Sequence, residues 1–303
     1  MSSNSPAPVV SVVMPAYNAA RTIGRAIDSV LGQTFNDLEV IVVDDGSQDG
    51  TLALASARGG RVRAFGQANA GPAAARNTGL GHARGEFVAF LDADDHWLPH
   101  KLERQVQLMR MRPEIGWCST ATRVVDEQGR LVAEWGCCSD AEAASLTETL
   151  FVRSAAVSGS TSGVLARTAL VRQAGGFDAS LRGFEDPDLW IRLSAQAPYG
   201  CIAEPLTMVV RTPGSVSSHL PRMRLATLRS FEKNRGLLPP ARRGAWWRAA
   251  CAGALADYAK MAWRRGAKRQ ALAWTVQAMC LSPWRKGRLG ASLLLAMIRG
   301  RAI

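Results

Sequence analysis

Residues 9–45, VVSVVMPAYNAARTIGRAIDSVLGQTFNDLEVIVVDD, contain a strand, a helix and a second strand in succession. Residues 9–14 are a short β-branched apolar run that ends at Pro15, which predicts a buried strand. Residues 21–31 carry apolar side chains at helical spacing, and residues 38–43 are again a short apolar run. The stretch therefore predicts one βαβ unit with two parallel strands.

The same alternation of strands and helices continues along the chain. A helix is predicted after Asp49, and further elements are predicted at 62–65 (strand), 71–84 (helix), 86–91, 117–122, 163–166 and 206–211 (strands), and 168–174 and 185–195 (helices). Strands that alternate with helices predict an α/β fold with a doubly wound, mostly parallel sheet.

Charge divides the chain into two parts. The 303 residues are 47% apolar and 20% charged, which is typical of a globular protein. Residues 1–220 contain 19 basic and 23 acidic residues, whereas residues 221–303 contain 18 basic and two acidic residues. We therefore predict one globular domain, large enough for an enzyme, at 1–220 and a helical basic extension at 221–303.

The sequence also predicts a location in the cell. None of the six cysteines forms a CxxC pair, which favours a reducing compartment. No positive charge precedes the first apolar run, and no window has the roughly 18 apolar residues that span a bilayer. We expect a cytoplasmic protein, or one attached to the cytoplasmic face of a membrane.

Acidic residues follow two of the predicted strands. Asp44 and Asp45 follow the second strand, and Asp92 and Asp94 follow the strand at 86–91. Because ligands of such sheets bind at the carboxyl ends of the strands, both clusters are expected on one rim. Asp92 and Asp94 suit Mg²⁺ or Mn²⁺, which prefer oxygen ligands, although a turn or helix cap also explains aspartates here.

Asp44 and Asp45 have two interpretations of their own. Their carboxylates are suited to accept hydrogen bonds from a nucleoside base or a ribose. Capping of the next helix is the alternative, and Ser47 or Asp49 explains a cap better than Asp44 and Asp45 do. Two adjacent carboxylates beside a second acidic pair favour a bound cation or a set of donors.

Four blocks follow one another along the chain: SVVMPAYN (11–18), VVDDGS with Thr51 (42–51), Gly71 with Ala75-Arg76-Asn77, and LDADD (91–95). In order and spacing they resemble a known family, the family 2 glycosyltransferases of the GT-A fold. The resemblance covers residues 9 to about 219.

The resemblance implies an inverting enzyme that moves a sugar from a UDP-, GDP- or dTDP-sugar to a hydroxyl of a glycan or lipid-linked acceptor. The expected setting is bacterial surface polysaccharide or glycolipid synthesis. It implies that Asp94, with Asp92, holds Mg²⁺ or Mn²⁺. It also implies that the nucleotide end of the site is formed by Pro15, Ala16, Tyr17, Asn18, Asp44, Asp45, Arg76 and Asp92.

The segment GFEDPDLW at 183–190 resembles the acidic motif of the same family at the start of a helix. Asp186 is then the expected catalytic base, next to Glu185. A carboxylate that takes the acceptor's proton is typically worth about 10² to 10⁴ in rate. Pro187 suits the first helical turn, and a helix start rich in acids is the alternative explanation.

Two further segments are open to more than one interpretation. The segment 211–219 resembles the family's loop over the donor phosphates, where Arg211 or His219 would contact the diphosphate or the metal; an ordinary linker is the alternative. The tail combines its arginines with Trp246, Trp247, Trp263, Trp274 and Trp284. It suits either a packed helical hairpin or an anionic membrane surface, and no nucleic acid partner is expected.

Other functions fit the motifs less well. A dehydrogenase needs GxGxxG after a strand, which is absent. A nucleotidyltransferase needs a glycine-rich basic loop after the first strand, where this chain has Pro15-Ala16-Tyr17-Asn18. A binding protein for nucleotide sugars that lacks catalysis stays an alternative.

Overall fold

A computed structural model describes residues 7–138, 145–211 and 219–283, together with positions 291 and 295. Within these residues the chain forms two compact units. The first contains the described residues up to Leu146, Ala155–Ser180, and Glu185 to Arg211; the second contains Thr147–Ser154, Leu181–Phe184 and the described residues from 219 onward. The predicted boundary near residue 220 stays a prediction.

The strands of the described residues are β1 (Val10–Ala16), β2 (Leu38–Asp44), β3 (Val62–Gly66), β4 (Phe87–Phe90), β5 (His96–Trp97), β6 (Trp117–Val125), β7 (Leu131–Trp135), β8 (Val164–Arg167) and β9 (Tyr199–Val210). The helices are α1 (Ile23–Leu31), α2 (Thr51–Ser56), α3 (Pro72–His82), α4 (Lys101–Met111), α5 (Leu146–Val152), α6 (Thr168–Gln173), α7 (Glu185–Ser194), α8 (Leu220–Asn234), α9 (Ala245–Arg264) and α10 (Lys268–Leu281).

The strands of the first unit form one mixed sheet. Its order is β3-β2-β1-β4-β8-β6-β9-β5, and β7 pairs with β6. β1, β2, β3 and β4 are parallel, as the βαβ pattern predicts, and β6 is parallel to β9. β8 runs antiparallel to both β4 and β6. The start of β8 therefore lies beside the end of β4.

The core of the first unit explains the alternation along its strands. Val12 and Met14 of β1 join a buried cluster with α1 and α4, whereas Val13 points the other way. There the missing side chain of Gly79 lets α3 approach, since a Cβ at Gly79 would lie 2.4 Å from Val13. The sheet is thus covered on both faces, as expected for a doubly wound fold.

The predicted strands and helices are found, with a few differences. β1 continues through Pro15 to Ala16. Proline is tolerated there because the pairing of β1 with β4 has ended at Val13, so no partner on that side needs an N–H donor. Helices α4 and α5 and strands β5 and β7 were not predicted.

The second unit is helical where it is described. Tyr258 and Trp274 are buried between α8, α9 and α10. Basic side chains cover the tryptophan rings: Arg224 over Trp274, Arg235 over Trp247, Arg242 over Trp246, and Lys268 over Trp263. The predicted packing of this hairpin on the body stays a prediction. Trp284 lies outside the described residues.

Two findings bear on the predicted location. Among the described residues, no helix has the length and apolarity that crossing a bilayer requires. A disulfide joins Cys137 to Cys201. The expectation of a reducing compartment did not include a disulfide. The two cysteines are 64 residues apart in sequence, and only the packing beside β9 brings them together.

Candidate active site

The two predicted acidic clusters lie along the edge of the sheet where the parallel strands end. β2 ends at Asp44, and β4 ends two residues before Asp92. β1 lies between these strands, so the two acidic segments are about 10 Å apart across the sheet. The turn Thr161–Gly163 precedes β8 and reaches the same edge, because β8 runs in the opposite direction.

The two aspartates after β2 have different environments. Asp45 is buried, and its carboxylate accepts hydrogen bonds from Gln67 Nε2 (2.7 Å) and from the backbone N–H groups of Ala70 and Gly71 (2.9 and 2.8 Å). Asp44 accepts one bond from the Ser47 N–H at 3.1 Å, and its buried Oδ1 has no partner within the described residues. Asp45 therefore holds the start of α3, while Asp44 keeps a free acceptor.

The segment after β1 is tied to the loop after β2. The backbone N–H of Asn18 donates to Ser47 Oγ at 2.8 Å, and Asn18 Oδ1 accepts from the Gln48 N–H at 2.9 Å. Asn18 has a φ of 49°, and these two hydrogen bonds hold its backbone in that conformation. Tyr17 is 53% exposed. The loops thus form one edge of the site, with an aromatic ring available to a ligand.

Arg76 connects the two acidic motifs. It lies on α3 and is 4% exposed. Its guanidinium contacts Asp92 at 2.7 Å, Asp186 at 3.2 Å and Glu185 at 3.5 Å. Burial alone would lower the pKa of Arg76, but the three carboxylates outweigh it and raise that pKa. The resemblance implied a role at the nucleotide end; the structure places Arg76 against the acids, and its role toward the nucleotide stays a prediction.

Asp94 and Asp95 lie in a place that disfavours their charged forms. Burial, followed by repulsion from Asp92, raises the pKa of Asp94 to about 6. Within the described part of the chain no ion pair neutralises Asp94. Asp95 is buried, and burial raises its pKa well above the ordinary value, although Ser162 Oγ (2.6 Å) and the Val210 N–H (3.1 Å) donate to it.

Asp186 lies in the first turn of α7, as the acidic motif predicts. Its Oδ1 accepts from Arg76 Nη1 at 3.2 Å, and its Oδ2 accepts from the hydroxyl of Thr161. Burial raises the pKa of Asp186 to about 6, against the nearby Arg76, which lowers it. A carboxyl group with this pKa is mostly ionised at pH 7 and takes a proton readily.

For Arg211 and His219, the other predicted residues, the described contacts are with other parts of the chain. The Arg211 N–H donates to the Val125 carbonyl at 2.8 Å, and its side chain is exposed. His219 caps α8 in the second unit, where Nδ1 accepts from the Arg222 N–H at 3.2 Å. The rest of the predicted loop, 212–218, lies outside the described residues, and its role in binding stays a prediction.

Sequence reasoning missed the hydroxyl groups of Thr161 and Ser162. Both residues are fully buried, and both contact the acidic motifs. The only signal was the run SGSTSG at 158–163 before a short apolar strand. No group of three or more metal-ligating side chains is found in the described ranges. Asp92 and Asp94 would therefore need oxygen ligands from substrate or water to complete a metal site.

Comparison with known families follows the same motifs. Residues 11–147 match the family model "Glycosyl transferase family 2", and residues 87–295 match "Glycosyl transferase family group 2". The second match covers more than half of the chain. The chain belongs to the family 2 glycosyltransferases. The resemblance stated from four motifs is therefore confirmed.

Curated relatives of this family 2 glycosyltransferase come from several bacteria. An uncharacterized glycosyltransferase of Rickettsia typhi is 31% identical over 196 residues, which cover 63% of this chain and 60% of that protein. The UDP-Glc:alpha-D-GlcNAc-diphosphoundecaprenol beta-1,3-glucosyltransferase of Escherichia coli is 45% identical over 103 residues, covering 33% of this chain and 41% of that enzyme. The chain spans less than two thirds of the length of these relatives.

Solved structures show the fold of this family 2 glycosyltransferase. TarS from S. aureus in complex with UDP-GlcNAc has a TM-score of 0.60 at 19% identity, covering 96% of this chain and 92% of that one. The mannosyltransferase PcManGT from Pyrobaculum calidifontis, in complex with GDP-Man and Mn²⁺, has a TM-score of 0.56 at 22% identity, covering 97% and 87%. The predicted GT-A fold class is confirmed.

Proposed function

We propose that this chain is an inverting glycosyltransferase that moves a sugar from a nucleoside diphosphate sugar to an acceptor hydroxyl, in bacterial surface polysaccharide or glycolipid synthesis. The observation that carries the proposal is the Arg76 cluster. Arg76 brings Asp92, from the motif after β4, within reach of Asp186, from the motif on α7. A leaving group held at Asp92 and a base at Asp186 would then serve one reaction.

The nucleotide is proposed to bind along β1 and β2. Tyr17 offers an exposed ring for the base, and Asp44 offers a buried acceptor that lacks a partner within the described residues. A buried unpaired acceptor costs about 1–3 kcal/mol, so a ligand donor there would be favourable. The names of the similar proteins support a nucleotide sugar, since they mention UDP-Glc, UDP-GlcNAc and GDP-Man.

A divalent cation, Mg²⁺ or Mn²⁺, fits the segment after β4. Asp94 is partly buried next to Asp92, and their repulsion raises the pKa of Asp94. A cation held by Asp94 and Asp92 would relieve that repulsion. When bound, the ion supplies positive charge that stabilises the departing diphosphate. The Mn²⁺ in the PcManGT complex supports the same assignment.

Asp186 is proposed to act as the base. A carboxylate has about four lone-pair sites, and Arg76 and Thr161 occupy one on each oxygen of Asp186. The remaining sites are available to take the proton of the acceptor hydroxyl as its oxygen attacks the anomeric carbon. Attack from the side opposite the leaving diphosphate inverts that carbon. Glu185 adds a further negative charge beside the base, and its carboxylate contacts Arg76 at 3.5 Å.

The proposal is tested by incubating purified protein and Mn²⁺ with UDP-, GDP- and dTDP-sugars, and by mass spectrometry of the products. Acceptors include lipid-linked N-acetylglucosamine diphosphates, as in the name of the E. coli relative. We expect transfer from one donor, with inversion. Donor binding without hydrolysis or transfer would favour the binding-protein alternative, and transfer of a nucleotidyl group would favour a nucleotidyltransferase.

The division of roles is tested by two variants. Asp94→Ala should remove the dependence of donor affinity on Mn²⁺. Asp186→Asn should leave donor affinity unchanged and lower kcat by about 10² to 10⁴. Donor affinities from calorimetry, with and without Mn²⁺, separate the two. An equal loss of donor affinity in both variants contradicts the assignment of separate roles.

We also propose that the protein binds the anionic cytoplasmic face of a membrane through its second unit. Four exposed basic residues lie at the end of α9, in the turn after it and at the start of α10; they are Arg264, Arg265, Lys268 and Arg269, which we call the basic turn. Each basic side chain near an anionic surface contributes about 1 kcal/mol. A lipid-linked acceptor would be reached from that surface.

Binding of the full chain to phosphatidylglycerol vesicles tests this attachment. Replacing all four residues of the basic turn by Gln should weaken binding tenfold or more. A control with the same change in charge replaces four exposed residues elsewhere in the unit: Arg222, Arg229, Lys233 and Arg248. Equal losses in both variants, or equal binding of wild type to uncharged vesicles, contradict the proposed turn.

A further inference from the structure

The turn Thr161–Gly163 lies between the two acidic motifs. Parallel strands bring their carboxyl ends to the rim of the sheet, whereas the antiparallel strand β8 brings its amino end there. Thr161 and Ser162 precede β8, so two hydroxyl groups stand beside Asp92. Both residues are fully buried, where an unmatched hydroxyl is costly.

Ser162 fixes the segment after β4. Its Oγ accepts from the backbone N–H of Asp92 at 3.1 Å and donates to Asp95 Oδ2 at 2.6 Å. Its carbonyl accepts from the indole N–H of Trp97 at 2.7 Å. Three bonds at one residue hold Asp92 in register with the turn.

Thr161 fixes the other motif. Its hydroxyl donates to Oδ2 of Asp186, while Arg76 binds Oδ1 of Asp186 and, with its other nitrogen, Asp92. The contacts therefore close a ring that runs through Asp92, Arg76, Asp186, Thr161 and Ser162. A carboxylate bound on both oxygens cannot rotate without breaking one of these bonds.

We infer that Thr161 is a positioning residue, whose hydroxyl sets the orientation of the Asp186 carboxylate relative to Asp92. The inference rests on the proposed role of Asp186 as the base. Arg76 alone would leave Asp186 free to turn about its contact at Oδ1. The hydroxyl removes that freedom, so one lone pair keeps facing the acceptor. Misplacement by about 1 Å can lower a rate about 10²-fold.

Three variants test the inference. Thr161→Val keeps the shape and removes the donor, whereas Thr161→Ser keeps the donor. Thr168→Val is the matched control. Thr168 is also buried, and its hydroxyl donates to the Gly85 carbonyl at 2.7 Å rather than to one of the acidic motifs. We expect Thr161→Val to lower kcat tenfold to a hundredfold with donor Kd within threefold, and Thr161→Ser to recover most of that loss. Thr168→Val should lose stability but keep kcat within twofold.

A double-variant comparison separates positioning from a general effect on folding. If Thr161 acts through Asp186, then adding Thr161→Val to Asp186→Asn should lower kcat no further. Full additivity of the two losses overturns the inference. So does a kcat for Thr161→Val within twofold of wild type, or equal losses in Thr161→Val and Thr161→Ser.

Crystal structures of the variants test the inference independently of activity. If the wild-type chain transfers no sugar, the proposed function is refuted, but the structures still show whether Thr161 orients Asp186. We expect the Asp186 carboxylate to keep its wild-type orientation in Thr161→Ser and to turn about its contact with Arg76 in Thr161→Val. An unchanged carboxylate in Thr161→Val overturns the positioning role.

Discussion

Replacing Lys101 by methionine should flatten the dependence of stability on pH. Lys101 begins α4 and is completely buried. Its Nζ donates to Gln105 Oε1 at 2.8 Å and lies 3.9 Å from the centre of the Trp97 ring. These two contacts favour the ammonium form by a few kcal/mol, but burial opposes it and lowers the pKa of Lys101 to about 7.

The magnitude follows from the two pKa values. In the unfolded chain Lys101 has an ordinary pKa of about 10.4, so between pH 7 and pH 10 the unfolded state binds more protons than the folded state. Stability therefore rises with pH, by up to about 1.4 kcal/mol per pH unit. Because the folded lysine is half protonated near pH 7, we expect a gain of about 2 kcal/mol between pH 7 and pH 9.

The pH slope is a better measure than stability at one pH. Lys101→Met removes the buried charge, but it also leaves Gln105 without the donor at Oε1, a loss of about 1–3 kcal/mol that does not depend on pH. Titration of the other groups is shared by wild type and variant, so it cancels in the difference. The difference in unfolding free energy should thus change by about 2 kcal/mol from pH 7 to pH 9.

Urea unfolding read by pulse proteolysis at pH 7, 8 and 9 measures this difference for the first unit. Lys268→Met, at an exposed position in the second unit, is the control and should keep the slope of wild type. Parallel pH profiles for wild type and Lys101→Met would refute the assignment of a lowered pKa to this lysine.

Three further outcomes are expected. Gly79→Ala should lower the unfolding free energy by about 1–3 kcal/mol, because its Cβ would lie 2.4 Å from a valine of β1. Gly81→Ala, on the same helix, has open space around its Cβ and should raise the unfolding free energy by up to about 1 kcal/mol. Urea titration measures both changes. The kcat/KM of wild type should fall as pH drops below about 6, where Asp186 becomes protonated; a profile flat to pH 5 contradicts that. Burial would raise the pKa of Glu39, but hydrogen bonds and charges, chiefly from Ser11 and Arg84, outweigh it and lower that pKa. Glu39→Gln should therefore lower the unfolding free energy by about 2 kcal/mol at pH 7 and by progressively less in acid. Thermal unfolding at pH 3 to 7 measures this loss.

The fold was predictable wherever short-range patterns decide it. The apolar runs of β1, β2 and β4 are bounded by Pro15, Asp44 and Asp92, so the three strands and the acidic ends of β2 and β4 could be placed from local sequence. Helix α4 was missed although Leu102, Val106 and Met109 have helical spacing. The buried Lys101 runs against the usual rule that lysine is exposed.

The sequence motifs named the candidate site residues but not the contacts between them. The motifs predicted Asp92, Asp94 and Asp186 from sequence. The ion pairs of Arg76 join residues 110 positions apart, and the bond from Thr161 to Asp186 depends on the antiparallel direction of β8. Neither contact leaves a local pattern. Asp45 shows the converse limit, since its sequence context equals that of Asp44 while its carboxylate serves only protein donors among the described contacts.

The balance of charge along this rim explains why a metal ion suits the proposed reaction. The site contains five carboxyl groups, those of Asp44, Asp92, Asp94, Glu185 and Asp186. Arg76 forms ion pairs with three of them. A nucleoside diphosphate sugar adds about two negative charges, which such a rim repels at close range. Arg76 cannot offset that repulsion, because its guanidinium is already bound to acids. A cation at Asp94 would neutralise the charge of Asp92 and Asp94 where the diphosphate binds, and would leave Arg76 to hold the base. One basic residue and one cation would then divide the work: the first orders the acids, and the second attracts the donor.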